Sequence, residues 1–249
     1  MSEIRTEELL IAVIARLLGP CRHVAVGASS PIPAAGAMLR RAQGDGRMTV
    51  NLLGSEAQNR FTSGGVELFD CAAQGRIDAF FLGGGQIDGQ GNINLVGIGD
   101  YPDNKVRWPG SFGSAYLYHL VPNVILFREE HSRRVFVPKV DFVSAPGISG
   151  PEVNRPGGPK ALLTGMALFD FDRARPGFRL RSVHPGYTLR DIEENTGFAF
   201  EHEADPETTE PPDPATLALI RGPIAAQLAE TYPRFAERVF GSPAASAAE

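Results

Sequence analysis

Apolar residues recur at helical spacing through Leu9, Leu10, Val13, Ile14 and Leu17. The run opens on Thr6-Glu7-Glu8, whose acids suit the positive end of a helix dipole, and Gly19-Pro20 stops it. His23 to Val26 follows as a short apolar strand, ended by Gly27 and a Ser29-Ser30-Pro31 turn. Pro33 suits the first position of a second helix running to about Arg41. Met48 to Leu53 reads as a strand closed by Gly54-Ser55, Val66 to Gln74 as a helix, and Ile77 to Leu82 as a fully apolar strand. Strands separated by helices predict parallel pairing in an open α/β sheet with helices on its faces.

After Gly83 the pattern changes to short apolar runs between Gly/Pro turns. Strands are expected at Asn92 to Ile98, Val121 to Phe127, Val135 to Val143, Leu162 to Phe171 and Phe178 to Val183. Helix returns at Thr188 to Asn195, with Gly197 as its cap, and at Pro214 to Phe240, interrupted by Gly222-Pro223. Residues 1–241 are expected to form a single domain and the Ala/Ser-rich residues 242–249 a disordered tail. Ligands of parallel sheets gather beyond the carboxyl ends of the strands. Three turns fall there: Gly27 to Pro31, Gly54 to Gln58 and Gly83 to Gly91.

Composition narrows the function classes. The 249 residues are 43% hydrophobic and 21% charged, which are globular values, and the net charge is −5. That balance excludes a broad nucleic-acid or anionic-membrane surface. The basic clusters at Arg40-Arg41 and at Arg128 with Arg133-Arg134 read as solvated faces. Two cysteines, Cys21 and Cys71, stand far apart, as in a reducing cytoplasm. Met1 to Glu8 is polar and lacks the basic-then-apolar order expected of a signal peptide, and no apolar run reaches the ~20 residues of a membrane span. His23, His119, His131, His184 and His202 are dispersed, so no metal site is expected. His184, before Pro185-Gly186, reads as a turn residue, and Trp108 and Tyr116 as core or interface residues with adenine stacking as the alternative.

The most informative stretch is Gly83-Gly84-Gly85-Gln86-Ile87-Asp88-Gly89-Gln90-Gly91-Asn92-Ile93-Asn94. Glycines after a buried strand let the backbone approach a ligand and aim N–H groups at a carbonyl or phosphate. A tight turn without a ligand explains the same spacing, and both readings stand. The order is neither a dinucleotide fingerprint nor a phosphate loop.

This stretch resembles the corresponding segment of glutaconate CoA-transferase β subunits, in the family I CoA-transferase superfamily. The likeness continues through Ile98-Gly99-Asp100-Tyr101, Val140 to Gly147, and Glu194-Asn195-Thr196-Gly197-Phe198, covering roughly residues 5 to 225. The resemblance implies a three-layer, mostly parallel α/β fold with additional short strands in the second half. It implies an α-type partner subunit, in a heterodimer or heterotetramer, and an acyl-CoA substrate whose coenzyme A is part of the substrate, with no metal. It implies that Gly84, Gly85, Gln86, Asn94, Gly110 and Gly113 help to hold the thioester. In the family a β-subunit glutamate attacks the thioester carbonyl, splitting one acyl exchange into easier steps.

Two departures matter. Alignment puts Leu53 at the nucleophile, and leucine cannot attack; Glu56, in Gly54-Ser55-Glu56-Ala57-Gln58, is then the candidate catalytic carboxylate, as base or orienter. In Gly110-Ser111-Phe112-Gly113, Phe112 adds a ring where close backbone approach is expected. Both departures, with Ser55 to Gln58 and Ser182 to Gly186, resemble a steroid ring-opening CoA-ester hydrolase of the superfamily, and another offshoot is a decarboxylase. Transfer, hydrolysis or ring-opening C–C cleavage, and decarboxylation therefore stand as alternatives, beside a non-catalytic partner subunit and a small-molecule sensor.

Overall fold

The computed structural model describes residues 3–241. They form two compact units, one reaching from the N-terminus to Glu67 and resuming at Glu210, the other spanning Leu68–Thr209. The expected tail at 242–249 lies outside the described residues.

The first unit opens with α1 (Thr6–Leu18), β1 (His23–Val26), α2 (Pro31–Gln43) and β2 (Thr49–Leu52). The strands pair in parallel, from His23 opposite Thr49 to Val26 opposite Leu52. Helix α2 starts earlier than expected because Pro31, with no N–H to lose, already takes the first turn. α1 and α2 meet closely at Gly36, where a Cβ would sit 2.3 Å from Ile14 Cγ2. The division between the units falls within α3 (Gly65–Ala73).

The second unit carries β3 (Ala79–Leu82), β4 (Gln86–Ile87), β5 (Ile93–Asn94), β6 (Gly97–Ile98) and β7 (Val106–Arg107). It continues through α4 (Ser114–Leu120), β8 (Asn123–Arg128), β9 (Pro159–Thr164), β10 (Ala167–Asp172), β11 (Gly177–Val183), α5 (Leu189–Asn195) and β12 (Glu207–Thr208). Its main strands lie in the order β12-β11-β10-β9-β8-β3. β3, β8 and β9 run parallel, as do β11 and β12, while β10 is antiparallel to both of its neighbours. The mostly parallel α/β organisation expected from the alternation is present. The chain then supplies the first unit with α6 (Pro214–Leu219), a π-helical turn at Ile220–Ile224, α7 (Ala225–Thr231) and α8 (Pro233–Phe240). In that unit Glu8 of α1 is fully buried against Arg221, whose Nε and Nη2 donate to it at 2.5 and 2.8 Å.

Three expected strands differ. Leu162 to Phe171 is a hairpin of β9 and β10, because Thr164 Oγ1 accepts from Met166 N and Ala167 N and turns the chain. Asn92 to Ile98 breaks into β5 and β6 because Asn94 Oδ1 takes Val96 N and Gly97 N. Val135 to Val143 forms no strand beyond a lone bridge from Phe136 to Ile87. Pro138 has no N–H to offer there, and side chains take Val140 N and Asp141 N. The closing helix has an extra break at Tyr232, where α8 restarts on Pro233. α4 carries no apolar periodicity strong enough to announce itself.

The core of the second unit is aromatic. Phe136, Phe169, Phe171, Phe178, Phe198 and Phe200 pack mostly edge to face, with centroids 5.0 to 6.3 Å apart. Two buried histidines cross it on hydroxyl groups. His131 bonds Thr164 Oγ1 at 2.8 Å and Thr196 Oγ1 at 3.0 Å. His184, read above as a turn residue, is only 2% exposed and bonds Thr209 Oγ1 at 2.8 Å and Thr164 O at 3.0 Å. The Pro185-Gly186 turn follows it, but the ring faces inward, held between Thr209 Oγ1 and Thr164 O.

Burial, with the nearby His184, pushes the His131 imidazole down to about 4. The unfolded chain binds this proton near pH 6.5 and the folded chain does not, so the stability is complete above pH 6.5 and is lost as pH falls toward 4. Urea unfolding at pH 7.5 and pH 5 is expected to differ by about 2 kcal/mol from this group. His131→Gln should flatten that part of the slope; an unchanged slope would assign the acid sensitivity elsewhere.

Candidate functional site

In the second unit, β3 and β8 run parallel with Leu82 opposite Leu126, so Gly83 and Arg128 leave the sheet at the same carboxyl-terminal edge. The run from Gly83 to Asn94 folds there as a two-strand ribbon, Gln86 opposite Asn94 and Ile87 opposite Ile93. Strands this short satisfy few of their own peptide groups, and side chains do the rest. Asp88 Oδ1 accepts from Gln90 N at 3.0 Å and Asn92 N at 3.1 Å, which closes the turn. Asn94, with no exposed surface, donates to Gln86 Oε1 and Gly97 O, both at 2.7 Å, and accepts from Val96 N and Gly97 N.

The same groups bind the segment from Val140 to Gly147. Gln86 Oε1 accepts from Asp141 N at 3.0 Å, Asn92 Oδ1 from Gly147 N at 3.1 Å, and Ser144 Oγ donates to Ile93 O at 2.8 Å. Two stretches that stand apart in the sequence are one hydrogen-bonded object. The structure brings Gly84, Gly85, Gln86 and Asn94 together in it. Its glycines are required by the chain's own packing: a Cβ on Gly85 would lie 2.2 Å from the Trp108 ring, and one on Gly84 2.6 Å from Ile93 Cγ2. Gly85 N donates internally, to Asn94 O at 2.9 Å. Gln86 Nε2 has no partner among the described residues, so this amide retains donors for a ligand.

Gly110 and Gly113 flank the loop before α4. Gly110 has φ +100° and its N–H reaches Leu95 O at 3.1 Å; Gly113 caps α4, with Phe69 where a Cβ would be. Between them Phe112 is 93% exposed with φ +41°, a left-handed conformation costly for a large side chain. Its ring leans on Phe69 at 5.8 Å, which in turn meets Tyr116.

Arg128 is a residue that the sequence reading left as solvated surface. Its Nε is buried with no hydrogen-bond partner, the one such side-chain atom found among the described residues. Its ion pair to Glu130 is long, 3.5 Å, and Arg134 and Ser132 also hold that carboxylate. A buried orphan donor calls for an acceptor, and at the carboxyl edge of β8 an anionic ligand group would supply one. Arg133, by contrast, is spent on the last carbonyls of α5. No group of three or more His, Cys, Asp or Glu side chains among the described residues is arranged to hold a metal ion.

The first unit holds Leu53 and Glu56. Leu53 follows β2, half-buried, with its N–H on Val26 O at 3.0 Å. Gly54, at φ +90°, then turns the chain. Ser55 Oγ accepts from Gln58 N at 2.9 Å and donates to Glu230 Oε2 at 2.7 Å. Glu56 N donates to Glu230 Oε1 at 2.8 Å, while the exposed Glu56 carboxylate has no partner among the described residues. Glu230, on α7, was not singled out in the sequence; a lone acid on a helix surface carries no signal until the fold places it at a turn.

The chain is similar to known proteins in sequence and in overall fold. The family model described as Coenzyme A transferase matches residues 5–195. A 3-oxoadipate CoA-transferase subunit of Pseudomonas knackmussii is 32% identical over 217 residues, which are 84% of this chain and 80% of that protein. The crystal structure of glutaconate coenzyme A-transferase from Acidaminococcus fermentans superposes with a TM-score of 0.77 at 26% identity, over 88% of this chain and 94% of that one. IpdAB of Rhodococcus jostii RHA1 gives a TM-score of 0.78 at 25% identity, again over 88% and 94%. The IpdB subunit from that organism, named a cholesterol ring-cleaving hydrolase, is 28% identical over 172 residues, 62% of each chain.

The hydrogen-bond lattice around Asn94 yields a direct test. Asn94→Ala removes four bonds and leaves buried peptide groups and Gln86 Oε1 short of partners, at an expected cost of about 2–4 kcal/mol. Urea unfolding measures it, and a loss under about 1 kcal/mol would mean that water enters and replaces the amide.

Proposed function

The chain belongs to the coenzyme A transferase family, and we propose that it is the β-type subunit of a heteromeric enzyme acting on acyl-CoA thioesters. The observation that carries this reading is the family match from residue 5 to 195, which contains the whole Gly83 to Asn94 ribbon and the Val140 to Gly147 segment bound to it. Residues 1–241 act as one β-type domain in this reading, and an α-type subunit completes the site. The relatives support such a partner, since their names describe each of them as one subunit of an enzyme. Cys71 is a buried free thiol, in keeping with a cytoplasmic setting.

Within that enzyme Arg128 and the Gln86 amide are the groups of this chain offered to the substrate. Arg128 Nε suits an oxygen of an anionic group, on the acyl chain or on coenzyme A, and the Gln86 Nε2 donors suit the thioester carbonyl. Gly84, Gly85, Asn94, Gly110 and Gly113 shape the ground on which these two stand. Leu53 offers no electron pair, so the chemistry does not run through a covalent intermediate at that position. Glu56, with its carboxylate free at the end of β2, serves as the base that takes a proton from water or substrate. This favours hydrolysis or C–C bond cleavage, with the thioester holding the acyl group in place. Transfer through Glu56 itself is the second reading, favoured by the unpartnered carboxylate.

The test is a product assay on the complex purified with its α-type partner, supplied with glutaconyl-type and ring-containing CoA thioesters, with and without acetate. A product formed equally without acetate supports hydrolysis or cleavage; CoA carried to acetate supports transfer. In the productive reaction Glu56→Gln is expected to lower kcat about 100-fold with little change in KM, whereas Arg128→Met raises KM about tenfold. Full activity in Glu56→Gln would remove Glu56 from the mechanism.

A further inference from the structure

The family match ends at residue 195, yet the segment closing the first unit reaches the turns at the carboxyl ends of both its strands. After β1, Ser30 N donates to Tyr232 Oη at 3.2 Å, beside Ser29, whose φ is +59°. After β2, Arg41 joins Gln58 to the same segment, donating to Gln58 Oε1 at 2.9 Å and to Gln227 Oε1 at 3.1 Å. The densest contact is made by Glu230. Its carboxylate accepts from the Ser55 hydroxyl at 2.7 Å and Glu56 N at 2.8 Å, and from Thr231 Oγ1. Two donors from consecutive residues of one turn thus converge on a single carboxylate, one on each oxygen.

We infer that Glu230 is a positioning residue of this enzyme: it holds the Leu53 to Gln58 turn in the conformation from which Glu56 works. The inference rests on the acyl-CoA reading above and adds a residue that lies outside the matched span. A helix docked only for stability would use apolar contacts, as Leu228 on the same helix does. Glu230 is exposed and bonds the Ser55 hydroxyl and the backbone N–H of the candidate base itself. Without it, an amide and a hydroxyl lose their acceptor, and Gly54 at φ +90° leaves the turn free to rotate.

The experiment uses the complex with its α-type partner carrying Glu230→Gln, Glu56→Gln, or both. The first readout needs no activity. Amide hydrogen exchange in the peptide covering residues 53–60 is expected to rise about tenfold in Glu230→Gln, without loss of the cooperative thermal transition. Unchanged exchange overturns the inference. The second readout is kinetic: Glu230→Gln should lower kcat about tenfold or more with KM within about twofold, and should add little in the Glu56→Gln background. Independent, fully additive losses overturn it. Full activity in Glu56→Gln together with faster exchange and lost kcat in Glu230→Gln would reject Glu56 as base while Glu230 keeps its role on the turn. Loss in Glu56→Gln with full activity in Glu230→Gln would reject Glu230 alone.

Discussion

Everything in the second unit between the end of β3 and the start of α4 depends on one constraint: buried peptide groups must be satisfied where regular secondary structure is almost absent. The four strands there are two residues long. Side chains supply the missing partners, with Asp88 closing a turn, Asn94 holding four groups and Ser144 pinning Ile93 and Leu95. Each removed bond would strand a buried donor or acceptor, costing about 1–3 kcal/mol. That is why Gln, Asp, Asn and Gly recur here at fixed spacing, and why Val140 to Gly147 must accompany them. The glycine-rich run reads as a ligand cradle by composition, but most of its polar atoms bind other parts of the chain. Gln86 Nε2 is an exception, with no partner among the described residues.

The parallel part of the fold was legible because local signals and tertiary demand agree in it. β1, β2 and β3 are short apolar runs between helices with clear stops, and the helices differ from expectation by a residue or two at their ends. Legibility failed where a side chain outbids the backbone. Thr164 turns an unbroken apolar stretch into a hairpin, and Asn94 splits another. No periodicity argument registers these, since apolar residues follow on both sides of each break. His184 failed for a related reason, because the turn after it was visible and its distant partners Thr164 and Thr209 were not.

The candidate residues divide along the same line. Leu53, Glu56 and the Gly83 to Asn94 run were singled out from residue order and the resemblance it carries, because their local sequence is their signal. Arg128 and Glu230 were not. Arg128 reads as one more surface cation until burial strips its Nε of partners. Glu230 bonds a residue 174 positions away, and nothing in the intervening sequence announces the contact. Long-range polar contacts between a helix surface and a turn have no pattern, so only the fold exposes them.

This partition has a chemical consequence. The polar atoms that build the ribbon are interlocked, and replacing any of them costs several bonds at once. Leu53 contributes only its backbone N–H to the first unit's frame, donated to Val26 O, while its side chain is half-buried and bonded to nothing. Exchanging the side chain at that position leaves the frame's hydrogen bonds intact. On physical grounds, one scaffold can carry a transferase in one relative and a ring-cleaving hydrolase in another. In the proposed reading the reaction is set by a few side chains at the carboxyl ends of the strands, in turns whose shape the rest of the chain maintains.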